Sequence, residues 1–251
     1  MKRLTIPSAH TPRGMARARA GRAVSDIARR FAQLRAVPLE SEHTRKGDAM
    51  ADITFYTNPM SRGRIVHWLL EELGVPYDMK ILDFEKGDHK KPDYLKINPM
   101  GKVPAIVHRG TVITEAAAIC TYLADAYPKA GLAPALDDPQ RGTYVRWIFF
   151  GAGCFEPAIV DKMFNRPAVE RKAAIGYGSY EDTLNALETA LKPGPWILGE
   201  RFSAADVYVG AQVQWAMMVK GLEPRPVFLQ YAERIAARPA VQKMLKGAQS
   251  S

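Results

Sequence analysis

The sequence predicts a small α/β domain with the element order βαβαββα, followed by an all-α helical bundle domain. Three observations carry this. Strand-like runs and helical apolar stripes alternate between Asp52 and Tyr127. Strand signals then stop, and four helical patterns fill the remainder. Between the two stands YPKAGLAPALDDP (127–139), whose three prolines read as a linker. The predicted boundaries are 51–127 for the first domain, 128–137 for the linker and 138–251 for the helical domain, with residues 1–50 set apart as a basic leader.

Ile53 to Tyr56 is a β-rich run, closed by the turn cluster from Thr57 to Ser61. Ile65, Val66, Leu69, Leu70 and Leu73 follow at helical spacing as one apolar stripe, and Gly74 stands where a C′ glycine ends a helix. Tyr77 to Leu82 predicts a second strand. Pro92 suits a first helical position, and Tyr94 to Ile97 continue a short helix. Ala105 to Val107 and Thr111 to Ile113 flank Arg109-Gly110, which predicts a hairpin. Glu115 to Tyr127 is a second long helix. A βαβ unit followed by a hairpin and a helix gives a small mixed sheet with helices on both faces. In the second half, helical patterns span 138–165, 168–191, 204–220 and 227–247, with breaks at Pro167, at 192–195 and at Pro224 and Pro226. Ser203 and Asp206 have the S-x-x-D spacing of a capping box, with Phe202 and Val207 as staple partners.

The 251 residues carry a formal charge of +9, which by itself points to a phosphate-rich partner. The distribution removes that reading. Residues 1–49 hold 11 Lys+Arg against 4 Asp+Glu, whereas residues 50–251 hold 24 against 22. The body is nearly neutral and gives no electrostatic reason to expect nucleic acid. No run of 18 apolar residues predicts a membrane span. Cys120 and Cys154 lack C-x-x-C spacing, which excludes a disulfide scaffold, a cysteine-based zinc site and a dithiol motif, and fits a reducing, cytoplasmic compartment.

The leader has no apolar h-region and is not a secretory signal. Val24, Ile27, Phe31 and Leu34 lie at helical spacing among arginines, as in a short basic amphipathic helix. Three readings stay open: a targeting segment, a disordered basic arm, or a leader outside the functional protein, with the native start at Met50.

The layout, together with N98-P99-M100-G101-K102-V103-P104, then T114-E115 opening a helix, then WILGERFSAADVYVG (196–210), resembles the cytosolic glutathione S-transferase family over roughly residues 52–247, with features of its bacterial beta, phi and theta classes. The resemblance implies a thioredoxin-like first domain that binds glutathione. It implies a cis Val103-Pro104 turn that offers the Val103 backbone to the tripeptide. Glu115 and Ala116 match the positions that hold the γ-glutamyl end, although the family commonly has serine where Ala116 stands. His89 and Lys90 match a phi-class site for the glycine carboxylate, and Lys102 replaces a common glutamine.

A thiol titrates ordinarily near 8.5, so such an enzyme must stabilise the thiolate. Ser61, two residues after Pro59, is similar to the catalytic serine of phi-type enzymes; its other role is plain N-cap duty. Tyr56 is the second candidate. Arg64 matches the thiolate-supporting arginine of the tyrosine classes, although Asn58 stands where their tyrosine would be. Two arginines in a first helical turn oppose the macrodipole and point to a nearby anion. Tyr144, Trp147, Phe150, Phe155 and Met163 are candidate walls for an electrophile site; Cys120 and Cys154 read as core or subsite residues. The resemblance implies a glutathione transferase acting on a small hydrophobic electrophile, a homodimer, no metal, and no nucleic-acid or membrane partner. A non-catalytic scaffold, or a glutathione-dependent peroxidase, isomerase or dehalogenase, stays open on the same fold.

Overall fold

The computed structural model describes residues 51–247; the leader and its predicted amphipathic helix lie outside the described residues. Four strands form one mixed sheet in the order β2-β1-β3-β4. The central β1 (Ile53–Thr57) runs parallel to β2 (Asp78–Ile81) and antiparallel to β3 (Ala105–His108), which pairs in turn with β4 (Thr111–Thr114). Arg109 and Gly110 both have positive φ, 51° and 80°, the tight hairpin conformation that matches strand twist.

The alternation of β1 decides which residues share a face. Ile53, Phe55 and Thr57 are buried. Phe55 packs toward His67 of α1 (Gly63–Leu73), whereas Tyr56 packs against Tyr94 of α2 (Pro92–Ile97). Consecutive side chains therefore point to opposite sides of the sheet, α1 on one and α2 on the other. Helix α1 buries Ile65, Val66, Trp68, Leu69 and Leu70, and ends at Gly74, whose φ of 66° lets its N–H reach the Leu70 carbonyl. Helix α3 (Ala116–Ala126) buries Ile119, Cys120, Leu123 and Ala124.

The second half is helical, with three departures from the predicted spans. The span 138–165 is not one α-helix. Helix α4 (Arg141–Phe150) passes through a π-helical segment, Gly151–Phe155, into α5 (Glu156–Met163). Pro157 lies at the start of α5 and has no N–H to donate to the preceding turn, which accounts for the wider ladder there. The span 168–191 is α-helical only from Tyr180, after a single 3-10 turn at Lys172–Ala174: α6 (Tyr180–Leu191) starts at Ser179, whose Oγ accepts from Asp182 N at 3.1 Å. That S-x-x-D cap is the overlooked signal, and Gly176 and Gly178 keep the approach to it non-helical. The span 227–247 divides into α8 (Pro226–Ala236) and α9 (Pro239–Gly247), because Pro239 disfavours helical backbone at Arg238.

Helix α7 (Ala204–Met218) is buried on nearly every side, as expected for a helix apolar all round. Its cap is reciprocal: Ser203 Oγ accepts from Ala205 N at 3.3 Å, and the Asp206 carboxylate accepts from Ser203 N at 3.0 Å. Among the described residues no helix is long and apolar enough to cross a membrane.

The two halves share one apolar core and are bridged by charge. Arg238 donates to Glu72 from Nε at 2.6 Å and from Nη2 at 2.7 Å, and its guanidinium lies over the Phe202 ring at 3.3 Å from the centroid. Glu72 also accepts from Trp68 Nε1 at 2.8 Å. Lys243 of α9 pairs with the neighbouring Glu71.

Candidate active site

The loop from β1 to α1 is fixed by its own polar groups. Asn58 Nδ2 donates to the Leu82 carbonyl at 2.9 Å, while its Oδ1 accepts from Met60 N at 2.8 Å. Ser61 Oγ donates to the Asn58 carbonyl at 2.6 Å and accepts from Gly63 N at 3.0 Å. Ser61 thus caps the start of α1, and its single hydroxyl hydrogen rests on a carbonyl that it can leave by rotation. The helix starts hard against the strand: a Cβ on Gly63 would lie 1.9 Å from Thr57 Oγ1.

The anion expected beside the two arginines is present for Arg62. It is Glu156, from the first turn of α5, and Gln212 Nε2 of α7 donates to the same carboxylate at 3.1 Å. The link crosses between the halves of the chain. Ser61, Arg62 and Arg64 open onto a cavity of about 220 Å³ between those halves. Its other walls include Trp68 of α1, Trp215 and Met218 of α7, and Val241 and Met244 of α9.

The candidate walls on α4 and α5 are not among the lining residues. Tyr144, Trp147 and Phe155 are buried in the core, and Phe150 and Met163 pack against it. Helix α4 turns its aromatic face inward toward α3 and α7. Sequence reasoning missed Gln212, Gln214, Trp215, Met218, Val241 and Met244. The uniform apolar character of α7 left no stripe to show which side faces open space.

A second row of expected residues lies at the end of the sheet. Val103-Pro104 is cis, as the family resemblance implies. Tyr56 opposes Ala105 and Ala105 opposes Thr114, so Thr57, Pro104 and Glu115 follow one another at the same sheet end. Glu115 is exposed and has φ 65°, an unfavourable conformation for a residue with a Cβ and a frequent mark of functional positions. Ala116 is buried at the first position of α3 and offers only its backbone N–H. The Lys102 carbonyl accepts from Tyr94 Oη at 2.5 Å and Asn98 Nδ2 at 2.8 Å, which holds the approach to the cis bond.

Loop 87–90 packs onto this row. A Cβ on Gly101 would lie 2.7 Å from the His89 carbonyl and 2.8 Å from Lys90 Nζ, and that Nζ donates to the Met100 carbonyl at 3.2 Å. The His89 ring stands edge-on to Phe84 with its buried Nδ1 unpartnered among the described residues. Tyr56, by contrast, faces Tyr94 on the side of the sheet away from α1. Neither cysteine lines the cavity: Cys120 is wholly buried, which pushes its thiol pKa up, and Cys154 lies in the π-helical segment with Sγ 3.7 Å from the Gly176 carbonyl. Among the described residues no group of His, Cys, Asp and Glu side chains is placed to hold a metal ion.

Comparison with known proteins bears on the family and the fold. Residues 51–125 match the family model of the glutathione S-transferase N-terminal domain, and residues 166–241 match that of the C-terminal domain. The chain is 33% identical over 189 residues to the glutathione S-transferase GstA of Escherichia coli O157:H7, covering 71% of this chain and 90% of that protein. It is 28% identical over 209 residues to the disulfide-bond oxidoreductase YfcG of Escherichia coli strain K12, covering 78% and 96%. Among solved structures, a glutathione transferase homologue from Sulfitobacter with bound glutathione is similar at 30% identity and a TM-score of 0.63, covering 79% of this chain and 99% of that one.

Proposed function

Since the chain belongs to the glutathione S-transferase family, with its thioredoxin-like first domain and helical second domain, we propose that it binds glutathione at the Pro104–Glu115 sheet end and delivers the thiolate to an electrophile in the cavity between its halves. The observation that carries this reading is the position of Ser61. Its hydroxyl stands at the first turn of α1, with Arg64 on the same cavity, and the remaining walls are largely apolar.

Glutathione fits the chemistry of the sheet end. The backbone of Val103 serves the peptide of the ligand as an added strand would. Lys90, Lys102 and the His89 ring suit the glycine carboxylate. Glu115 suits the γ-glutamyl ammonium, and the N-terminus of α3, from Ala116 onward, suits its carboxylate. The Ser61 hydrogen turns from the Asn58 carbonyl to the sulfur, and Arg64 adds positive charge, so the thiol loses its proton to solvent near neutral pH. The sulfur then attacks the electrophilic carbon. A C–S bond forms, and the leaving group departs with the electron pair of the broken bond. Tyr56 lies on the opposite side of the sheet, which favours Ser61.

Retention on immobilised glutathione and a Ser61→Ala variant test this reading. The variant is expected to stay on the resin and to lose roughly tenfold or more in kcat/KM. Unchanged turnover removes Ser61 from the mechanism, and absence of heat on titrating glutathione removes the ligand. A second reading is supported by the relative named a disulfide-bond oxidoreductase. There the thiolate attacks a disulfide, one thiol leaves, and a second glutathione resolves the mixed disulfide; turnover of a hydroxyethyl disulfide reads it. We also read the protein as a cytoplasmic homodimer, consistent with the exposed apolar side chains of Met100 and Phe149, and sedimentation velocity tests the dimer.

A further inference from the structure

An ion pair closes one side of the cavity. Arg62 lines the cavity from the first half of the chain and Glu156 from the second, and the two side chains meet. Arg62 follows Ser61 directly, and neither member of the pair has a part in the chemistry proposed above.

The two partners are held very differently. Glu156 is the first residue of α5, immediately after the π-helical segment, and its side chain is 19% exposed. Gln212, itself buried, donates from Nε2 to its Oε2 at 3.1 Å. Helix α7 comes this close only because residue 151 is glycine: a Cβ there would lie 2.9 Å from both Gln212 Oε1 and Tyr208 Cε1. Such π-helical turns are frequent at functional sites. Arg62 is the loose partner. It stands outside α1 as the residue before the first turn, and its side chain is 55% exposed. Met60, on the same loop and lining the same cavity, is also exposed, so this loop is where the cavity meets solvent. Glu156 is therefore a fixed jaw and Arg62 a movable one.

We propose that the Arg62–Glu156 pair is a gate on the cavity. Closed, it ties the Ser61 loop to the second half and completes the wall. To admit the second substrate and release the conjugate, the Arg62 side chain swings into solvent while Glu156 stays on Gln212. This rests on the glutathione reading above. Side-chain swings at a surface are fast, so passage follows the fraction of time the pair is broken. An ion pair of this exposure favours the closed state by a factor of about five.

A gate slows entry and exit alike and leaves the equilibrium unchanged, whereas a residue that touches the ligand acts mainly on the exit rate. Stopped-flow mixing with S-(para-nitrobenzyl)glutathione, a conjugate that does not react further, reads both rates from quenching of Trp68 and Trp215 in the cavity wall. Glu156→Gln removes the charge and keeps an acceptor for Gln212 Nε2. It is expected to raise kon and koff together, roughly fivefold, with Kd unchanged. Raising the ionic strength from about 0.1 M to about 1 M shortens the screening length from about 10 Å to about 3 Å, so the variant's advantage in kon should shrink toward unity. Comparing the two proteins at each salt concentration cancels screening of the ligand's own charges. Arg62→Gln removes the other jaw and is expected to give the same rates, which keeps the test intact if Glu156→Gln folds poorly. A change in koff alone, or entry no faster in a folded variant than in wild type, overturns the gate. If the conjugate does not bind wild type at all, the glutathione reading has failed and the gate falls with it, a result distinct from binding with unchanged rates.

Discussion

Asp206 gives the chain a pH dependence of stability opposite to that of an ordinary ion-paired carboxylate. Its side chain is wholly buried at the start of α7. It accepts from Ile197 N at 2.9 Å, Ser203 N at 3.0 Å and Tyr231 Oη at 3.0 Å. Burial nevertheless outweighs these donors and pushes its pKa from 3.8 up to about 6. Between those two values the folded protein holds a proton that the unfolded chain has released. Stability therefore falls as pH rises from about 4 to about 6, and this contribution is flat above that range. The difference corresponds to about 3 kcal/mol. Asp206→Asn removes the titration and keeps an acceptor for Ile197 and Tyr231. Urea denaturation of both proteins at several pH values reads the effect, because subtracting the curves cancels every other group. The advantage of wild type over Asp206→Asn should shrink by about 3 kcal/mol between pH 4 and pH 6.5. A constant difference, or one that grows with pH, refutes the argument that desolvation dominates at this site.

Other substitutions separate the remaining roles. Gly63→Ala drives a methyl into Thr57 Oγ1 and should cost about 3 kcal/mol in denaturant unfolding, with kcat falling as the Ser61 turn moves. Arg238→Met removes the guanidinium from both the Phe202 ring and the Glu72 carboxylate; with Arg238 partly exposed, a loss of about 2 kcal/mol is expected by thermal melting. His89→Ala should raise the Kd for glutathione roughly fivefold by calorimetry and leave the melting temperature nearly unchanged, since its Nδ1 bonds to no described residue.

Much of this was legible in the chain. The strand alternation, Gly74, the Arg109-Gly110 turn and the Ser203–Asp206 cap are local signals, and local geometry follows them. The cis Val103-Pro104 bond was likewise written in a short motif. The cavity was not. Its walls come from α1, α7 and α9, segments distant in sequence, and α7 is apolar on every side. The aromatic residues of α4 stood out in the sequence, yet they face the core, because composition reports that a side chain is buried without saying against what. The break at Arg238 escaped for another reason: the apolar stripe carries through Pro239, and only the proline marks the turn.

The placement of Arg238 ties architecture to chemistry through a single helix. Ser61 and Arg62 stand immediately before the first turn of α1, and Arg62 reaches Glu156 in the second half. The last turn of α1 carries Glu71 and Glu72, which reach Lys243 and Arg238 there. Between the two ends, Trp68 of the same helix forms a cavity wall and is held by Glu72. Charges at both ends of α1 therefore set the position of the cavity wall and of the Ser61 hydroxyl together. Loosening the far end should show at the near end. Arg238→Met, which touches neither glutathione nor the electrophile, is expected to raise the electrophile KM several-fold through Trp68 while the Kd for glutathione stays constant. A rise in that Kd of the same size would mean that the substitution disturbs the sheet end as well, and that α1 does not act as a separate strut.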